Sequence, residues 1–172
     1  SGVLYDALDL GSLDAPAKRR AQRSIVVASA RFGALRLGDR IPAYRLSGDS
    51  VLPGLGGLPA VWRDPLATAM TAAAGRGLVV DLRSGAYAAL WKPTGDVASR
   101  TVAVRVLQEM PDGSRAVVSH FNKATKGRLL RALADSEAVP ATVDDLVDAI
   151  RALGFRVEPA NDPPGRRGHQ PR

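Results

Sequence analysis

The run "GLVVDLRSGAYAAL" (Gly77–Leu90) carries two signals in direct succession. Gly77 to Leu82 is a short apolar stretch centred on paired valines, the pattern of a buried strand. Ser84 and Gly85 then open a run of Ala, Tyr and Leu that reads as the start of a helix. Upstream, "LDAPAKRRAQRS" reads as a helix with Asp14 at its N-cap and Pro16 in its first turn, and it feeds the β-branched run "SIVVAS" (Ser24–Ser29). "ARFGALR" after that strand is expected to form a short helix. Two strand-loop-helix units imply an α/β fold with a parallel core.

Working outward, "LGDRIPAYRLSGDSVLPGLGG" holds too much Gly and Pro for regular structure and reads as a long loop. "LPAVWRDPLATAMTAAAG" reads as one helix broken near Pro65, or as two short ones. "TVAVRVLQEM" and "SRAVVSHF" flank Asp112-Gly113 and are expected to form a β-hairpin. A helix follows from about Asn122 to Ser136. Thr142 with Asp145 makes a capping box for "VDDLVDAIRALG", and Gly154 ends that helix. The expected fold is therefore α/β: a mixed sheet of parallel strand-helix units plus a β-hairpin, with helices packed around it. Residues 1–158 form one domain, and 159–172 form a disordered basic tail.

The 172 residues are 45% hydrophobic, enough to bury a core in one domain. There is no cysteine and there are two histidines, which excludes disulfides, thiolate catalysis and zinc-thiolate sites. No long apolar run or signal-like start is present, so a cytoplasmic protein without a membrane partner is expected. The net charge is +7; Arg166, Arg167 and Arg172 against Asp162 account for +2 of it, which leaves +5 on residues 1–158. A basic body favours anionic partners, although a generally solvated basic surface explains the charge equally well.

Three segments, "ASARFG", "DLRSGAY" and "SHFNKATKG", directly follow predicted strands. Ligands of open α/β sheets bind beyond strand C-termini. Parallel strands here place Ser29, Arg31, Asp81, Arg83, Ser84, Tyr87, Asn122, Lys123 and Lys126 on one rim, where helix N-termini add donors for an anion. Simple capping by Ser84 and Asn122, with solvated cations, is the alternative. His120 is a candidate general base with Asp81, though a structural histidine is the commoner role. Ser119, its neighbour on a strand, points to the opposite face and is a poor nucleophile.

"KATKG" lacks the glycines of a phosphate loop, and no cofactor is expected. Asp144, Asp145 and Asp148 sit at a helix start, where dipole compensation accounts for them, and no metal site is expected. "LPGLG" (Leu52–Gly56) looks like the hairpin of a helix-hairpin-helix element, but "IPAYRLSGDSV" makes a poor preceding helix.

Taken in order, these segments resemble the YaaA family of bacterial peroxide-stress proteins, with the wording of an actinobacterial member. The resemblance rests on Tyr5; on Ser29, Gly33, Leu35 and Arg36; on Pro42, Tyr44, Arg45 and Leu46; on Trp62; on Ser84 and Tyr87; and on Ser119, Lys123, Gly127 and Arg131. It implies a cytoplasmic protein that limits intracellular iron and oxidative DNA damage under peroxide. The fold it implies is α/β with a positively charged cleft, with DNA binding through a helix-hairpin-helix element and no established reaction. Members of the family begin with a strand and an S-P-A-K-T or P-P-S-E-T-K type motif that this chain lacks. The chain is accordingly expected to be a fragment with an exposed sheet edge. His120 stands where the family often has an aromatic, which weakens it as a catalyst.

The leading expectation is DNA binding without sequence preference, with Arg31, Arg36, Arg45, Lys123, Lys126 and Arg128 on the phosphates. The competing one is a small phosphorylated, nucleotide-like ligand held by Tyr44, Arg45, Ser84, Tyr87, Asn122 and Lys123, as an enzyme or a binding module. Direct iron handling ranks below both.

Overall fold

The computed structural model describes residues 2–160, apart from the side chains of Ser119 and His120. The tail expected to be disordered lies, from residue 161 on, outside the described residues.

Two helices flank the first strand hairpin. α1 (Val3–Leu8) leads through a short 3-10 turn to α2 (Ala15–Ser24). Asp14 caps α2 as expected, its carboxylate accepting a 2.7 Å hydrogen bond from the Ala17 backbone N–H. Ala17 and Ala21 bury against Leu13 and Ala134, so this face of α2 is small and lies close to its neighbour. β1 (Val26–Ser29) follows and pairs antiparallel with β2 (Gly33–Arg36).

β2 corrects the helix expected for "ARFGALR". The reason is tertiary. Gly33 turns the chain at φ 74°, and a Cβ there would meet the Trp62 ring at 2.8 Å. Trp62 in turn donates its indole N–H to the Ala30 carbonyl at 2.8 Å, which fixes the turn between the strands. Propensity in a short Ala/Leu/Arg run is too weak to oppose such a contact.

The long loop has no regular structure through residues 39–47 and ends in a small hairpin of β3 (Val51–Leu52) and β4 (Gly56–Gly57). α3 (Leu58–Ala74) follows without a break at Pro65. Leu58, Trp62, Leu66, Met70 and Ala74 recur every fourth residue and enter one core with Ala30, Leu90, Trp91 and Val97. Pro65 is exposed on another face, so its missing N–H costs one outer hydrogen bond without detaching either half.

β5 (Val79–Asp81) runs parallel to β6 (Thr101–Ala103), with α4 (Gly85–Ala88) and α5 (Gly95–Ser99) in the crossover. The pair is covered on both faces. Val79 packs into the α3 core, while Val80, Leu82, Val102 and Val104 meet Leu129, Leu146 and Ile150. That is the sandwich expected of parallel strands. The expected long hairpin is corrected: Thr101–Ala103 joins β5, and only β7 (Gln108–Glu109) and β8 (Arg115–Ala116) pair around Gly113. β1 and β5 sit in separate ladders rather than in one sheet.

α6 (Ser119–Asp135) begins three residues earlier than expected, so Ser119 and His120 belong to its first turn and not to a strand end. α7 (Val143–Ala152) carries the predicted capping box, with Thr142 and Asp145 bonded reciprocally. α1 lies along α6 in the same direction. A Cβ at Gly127 would clash with the Leu4 carbonyl oxygen and come within 2.8 Å of Ala7 Cβ, while Arg131, one turn on, donates to the Leu8 carbonyl at 3.1 Å.

Candidate functional site

Ser29 ends β1 almost fully buried, and its hydroxyl shares a 2.7 Å hydrogen bond with the Tyr44 phenol. The Ser29 oxygen also accepts from the Phe32 N–H at 3.1 Å, and the Phe32 ring meets Tyr44 edge-on at 5.6 Å. Tyr44 belongs to the long loop, which is fixed at a second point. The anchor is Gly48: a Cβ there would stand 2.9 Å from the Ala86 carbonyl oxygen, so the loop backbone lies directly on α4.

Tyr87, on α4, and Tyr5, on α1, lie near enough to Tyr44 for the phenols, all three tyrosines of the chain, to act on one another electrostatically. Burial pushes the Tyr5 hydroxyl up, and the Tyr87 and Tyr44 phenols add to it. Burial likewise raises Tyr87, with Tyr44 and the Asp49 carboxylate contributing. Tyr5 and Tyr87 therefore stay protonated at neutral pH and present O–H donors, the groups an anionic oxygen accepts from.

The C-terminal end of β5 is held by charge. Arg83 grips Asp81 with both arms, Nε to Oδ1 at 2.9 Å and Nη2 to Oδ2 at 2.7 Å. Its Nη1 donates to the Trp91 carbonyl at 2.9 Å, and its guanidinium lies 5.1 Å from the Trp91 ring centre. Burial pushes Asp81 up, but the Arg83 hydrogen bonds and charge, helped by Lys126, leave its carboxyl below the usual range. Both carboxylate oxygens are engaged by Arg83, so Asp81 is held as a structural anion at the end of β5.

Lys126 is 7% exposed, and its Nζ donates to the Leu82 carbonyl at 2.7 Å. β6 bonds to β5 through Val79 and Asp81, so the Leu82 carbonyl points away from that ladder, and Lys126 occupies it. Burial pulls the Lys126 ammonium down, and Asp81 partly restores it.

The remaining cations diverge. Arg31 is exposed on the turn after Ser29, 5.6 Å from the Phe32 ring, and Arg45 follows Tyr44. Both are close in sequence to the partners of the Ser29–Tyr44 bond, and Arg45 is exposed. Lys123 is exposed one turn before Gly127 on α6, toward the end where both α1 and α6 begin. Arg36 sits at the far end of the β1–β2 hairpin and donates to the Arg23 carbonyl at 2.9 Å. Arg128 is exposed, rotated about 140° from Lys123 around the helix. Ser84 precedes α4 without a side-chain capping bond. Asn122 faces a recess with Val106 and Leu107. The side chains of Ser119 and His120 lie outside the described residues.

The "LPGLG" hairpin has α3 behind it but irregular chain ahead of it, so a complete helix-hairpin-helix is not formed by the described residues. Among them there is no cluster of His, Asp and Glu able to hold a metal ion, and no helix long and apolar enough to cross a membrane. Tyr5 is the site residue that neither strand-end position nor a chemistry-bearing motif singled out. The ordering of segments was the only signal for Tyr5, whose partners are distant in sequence.

A family model described as "Peroxide stress protein YaaA" matches residues 1–161. A UPF0246 protein of Streptomyces coelicolor is 59% identical over 158 residues, spanning 92% of this chain and 60% of that protein. A UPF0246 protein of Corynebacterium efficiens is 44% identical over 160 residues, covering 92% of this chain and 62% of its own length. One from Cereibacter sphaeroides is 33% identical over 171 residues, with the same two shares. The chain thus spans about three fifths of the length of the curated relatives it matches.

Proposed function

Because the chain belongs to the YaaA family of peroxide stress proteins, we propose that it acts in that response by holding DNA through its phosphate backbone. The contact face is the tyrosine cluster with Arg31, Arg45 and Lys123 around it. The observation that carries this reading is that Arg45 and Lys123 are exposed and, among the described residues, make no ion pair or hydrogen bond. Solvated, unpaired cations beside neutral phenols suit phosphate oxygens. Such a face reads charge and backbone rather than base edges. Limitation of iron and of oxidative DNA damage, which the family resemblance implies, belongs to the same proposal. The contact set is narrower than charge alone suggested: Lys126 and Arg36 are committed to main-chain carbonyls, and Arg128 faces elsewhere.

A small phosphorylated ligand has less support. Of the residues expected to hold it, Asn122 lines a recess of about 180 Å³ with Val106, Leu107 and Phe121, and Tyr44, Ser84 and Tyr87 line neither that recess nor one of about 340 Å³ beside Arg36.

Three phosphate contacts give a slope of about −2.7 in log affinity against log salt, or roughly a 40-fold loss between 50 and 200 mM. Fluorescence titration of a labelled duplex over that range tests the reading. Affinity that does not change with salt refutes it.

A further inference from the structure

We infer that Tyr44 donates its phenolic hydrogen to a non-bridging phosphate oxygen of the bound DNA, and that Ser29 sets the direction of that hydrogen. Such a contact rests on the DNA reading above and supplies it with a neutral donor beside the cations.

A count of hydrogens carries it. Ser29 Oγ lies 2.7 Å from Tyr44 Oη, a separation at which one hydroxyl donates and the other accepts. Each hydroxyl has one hydrogen and two lone pairs. Ser29 Oγ already accepts from the Phe32 N–H at 3.1 Å and has no further partner among the described residues. The residue is 1% exposed, which shields its hydrogen from solvent. Were Tyr44 the donor, both lone pairs of Ser29 would be filled and its hydrogen left buried without an acceptor, a costly arrangement. Ser29 therefore donates to Tyr44. The relay runs from the Phe32 N–H to Ser29 Oγ and from the Ser29 O–H to Tyr44 Oη, which leaves the Tyr44 O–H for a group outside the protein.

The surroundings suit an anion. Tyr44 is half-buried, and Phe32 meets its ring edge-on, so the hydroxyl is oriented before anything binds. The Tyr5 and Tyr87 phenols are near enough to feel Tyr44 electrostatically, and neither has a hydrogen-bond acceptor among the described residues. Neutral O–H donors without an acceptor, next in the chain to the exposed Arg45, match an oxyanion with several acceptor oxygens. A neutral donor displaces no counterion, and this separates Tyr44 from the cations in the test.

The test is fluorescence titration of a labelled duplex between about 50 and 200 mM salt, on the parent, Tyr44→Phe, Ser29→Ala and the double variant. Tyr44→Phe keeps the ring against Phe32 and loses only the hydroxyl. It is expected to bind about three- to ten-fold more weakly at every salt concentration, with the parental salt slope. Ser29→Ala is expected to lose a smaller factor, and to add nothing in the Tyr44→Phe background, because Ser29 acts through Tyr44. Circular dichroism checks that each variant is folded, and Tyr44→Phe decides the matter by itself if Ser29→Ala is not. A parent whose binding does not change with salt refutes the DNA reading and this donor with it. A salt-dependent parent matched in affinity by Tyr44→Phe overturns the donor alone. So does a Ser29→Ala loss that persists undiminished in the Tyr44→Phe background.

Discussion

Replacing Gly127 with alanine sets two known effects against each other. Alanine inside a helix is favoured over glycine by roughly 0.5–1 kcal/mol, so an unencumbered Gly127→Ala stabilises. At this position the new Cβ falls inside the contact distance of the Leu4 carbonyl oxygen and 2.8 Å from Ala7 Cβ. Neither obstacle can rotate away, because one is main chain and the other is fixed to a helix. α1 must lift, loosening Leu8, which is 1% exposed. Overpacking of this kind costs about 1–3 kcal/mol, and with rigid obstacles the upper half of that range applies. The net expectation is a loss of about 1–2.5 kcal/mol, or roughly 2–10 °C in Tm for a domain of this size. Thermal and urea unfolding by circular dichroism measure it, with Arg128→Ala as an exposed control on the same helix. A Gly127→Ala protein more stable than the parent refutes the packing of α1 on α6.

Arg131 donates to the Leu8 and Asp9 carbonyls and to the Ser12 hydroxyl at 2.8–3.1 Å, closing the end of α1. Arg131→Ala is expected to lose about 1–2 kcal/mol in urea unfolding, and Arg131→Lys to lose less, since all three bonds come from the single nitrogen Nη1 and an ammonium also carries its donors on one nitrogen. Asp81 titrates below its unfolded value of about 3.9, so its contribution to stability is complete above that pH and is lost as pH falls through the depressed value. Unfolding followed from pH 5 downward is expected to show a steeper loss for the parent than for Asp81→Asn; parallel curves contradict the ion pair.

Elements with local signals were legible in the sequence. The Asp14 cap, the Thr142–Asp145 capping box and the paired valines of β5 each specify their structure within a few residues. Features set by distant contacts were not. β2 replaces a helix because Trp62 fills the space beside Gly33. Thr101 leaves the expected hairpin because a parallel partner, β5, is available across a crossover that periodicity does not register. α3 survives Pro65 because the stripe from Leu58 to Ala74 binds both halves to one core.

The candidate site divides in the same way. Charge and strand-end position singled out Arg31, Arg45, Asp81, Lys123 and Lys126, but residue type does not distinguish a cation facing solvent from one spent inside. Lys126 looks like a ligand-binding lysine in sequence and is a clamp on Leu82 in structure. The convergence of Tyr5, Tyr44 and Tyr87 draws on three segments far apart in the chain, which no local pattern connects.

The central claim is that the exposed cations beside the tyrosine cluster, and not the buried lysine, meet phosphate. It is tested most directly by duplex titrations at matched salt on Arg45→Ala/Lys123→Ala and, separately, on Lys126→Met. The account predicts that the double variant binds more weakly, with a salt slope shallower by about 1.8. Lys126→Met keeps the parental slope and changes only the unfolding midpoint. A parental slope in the double variant, or a slope lost in Lys126→Met, contradicts it.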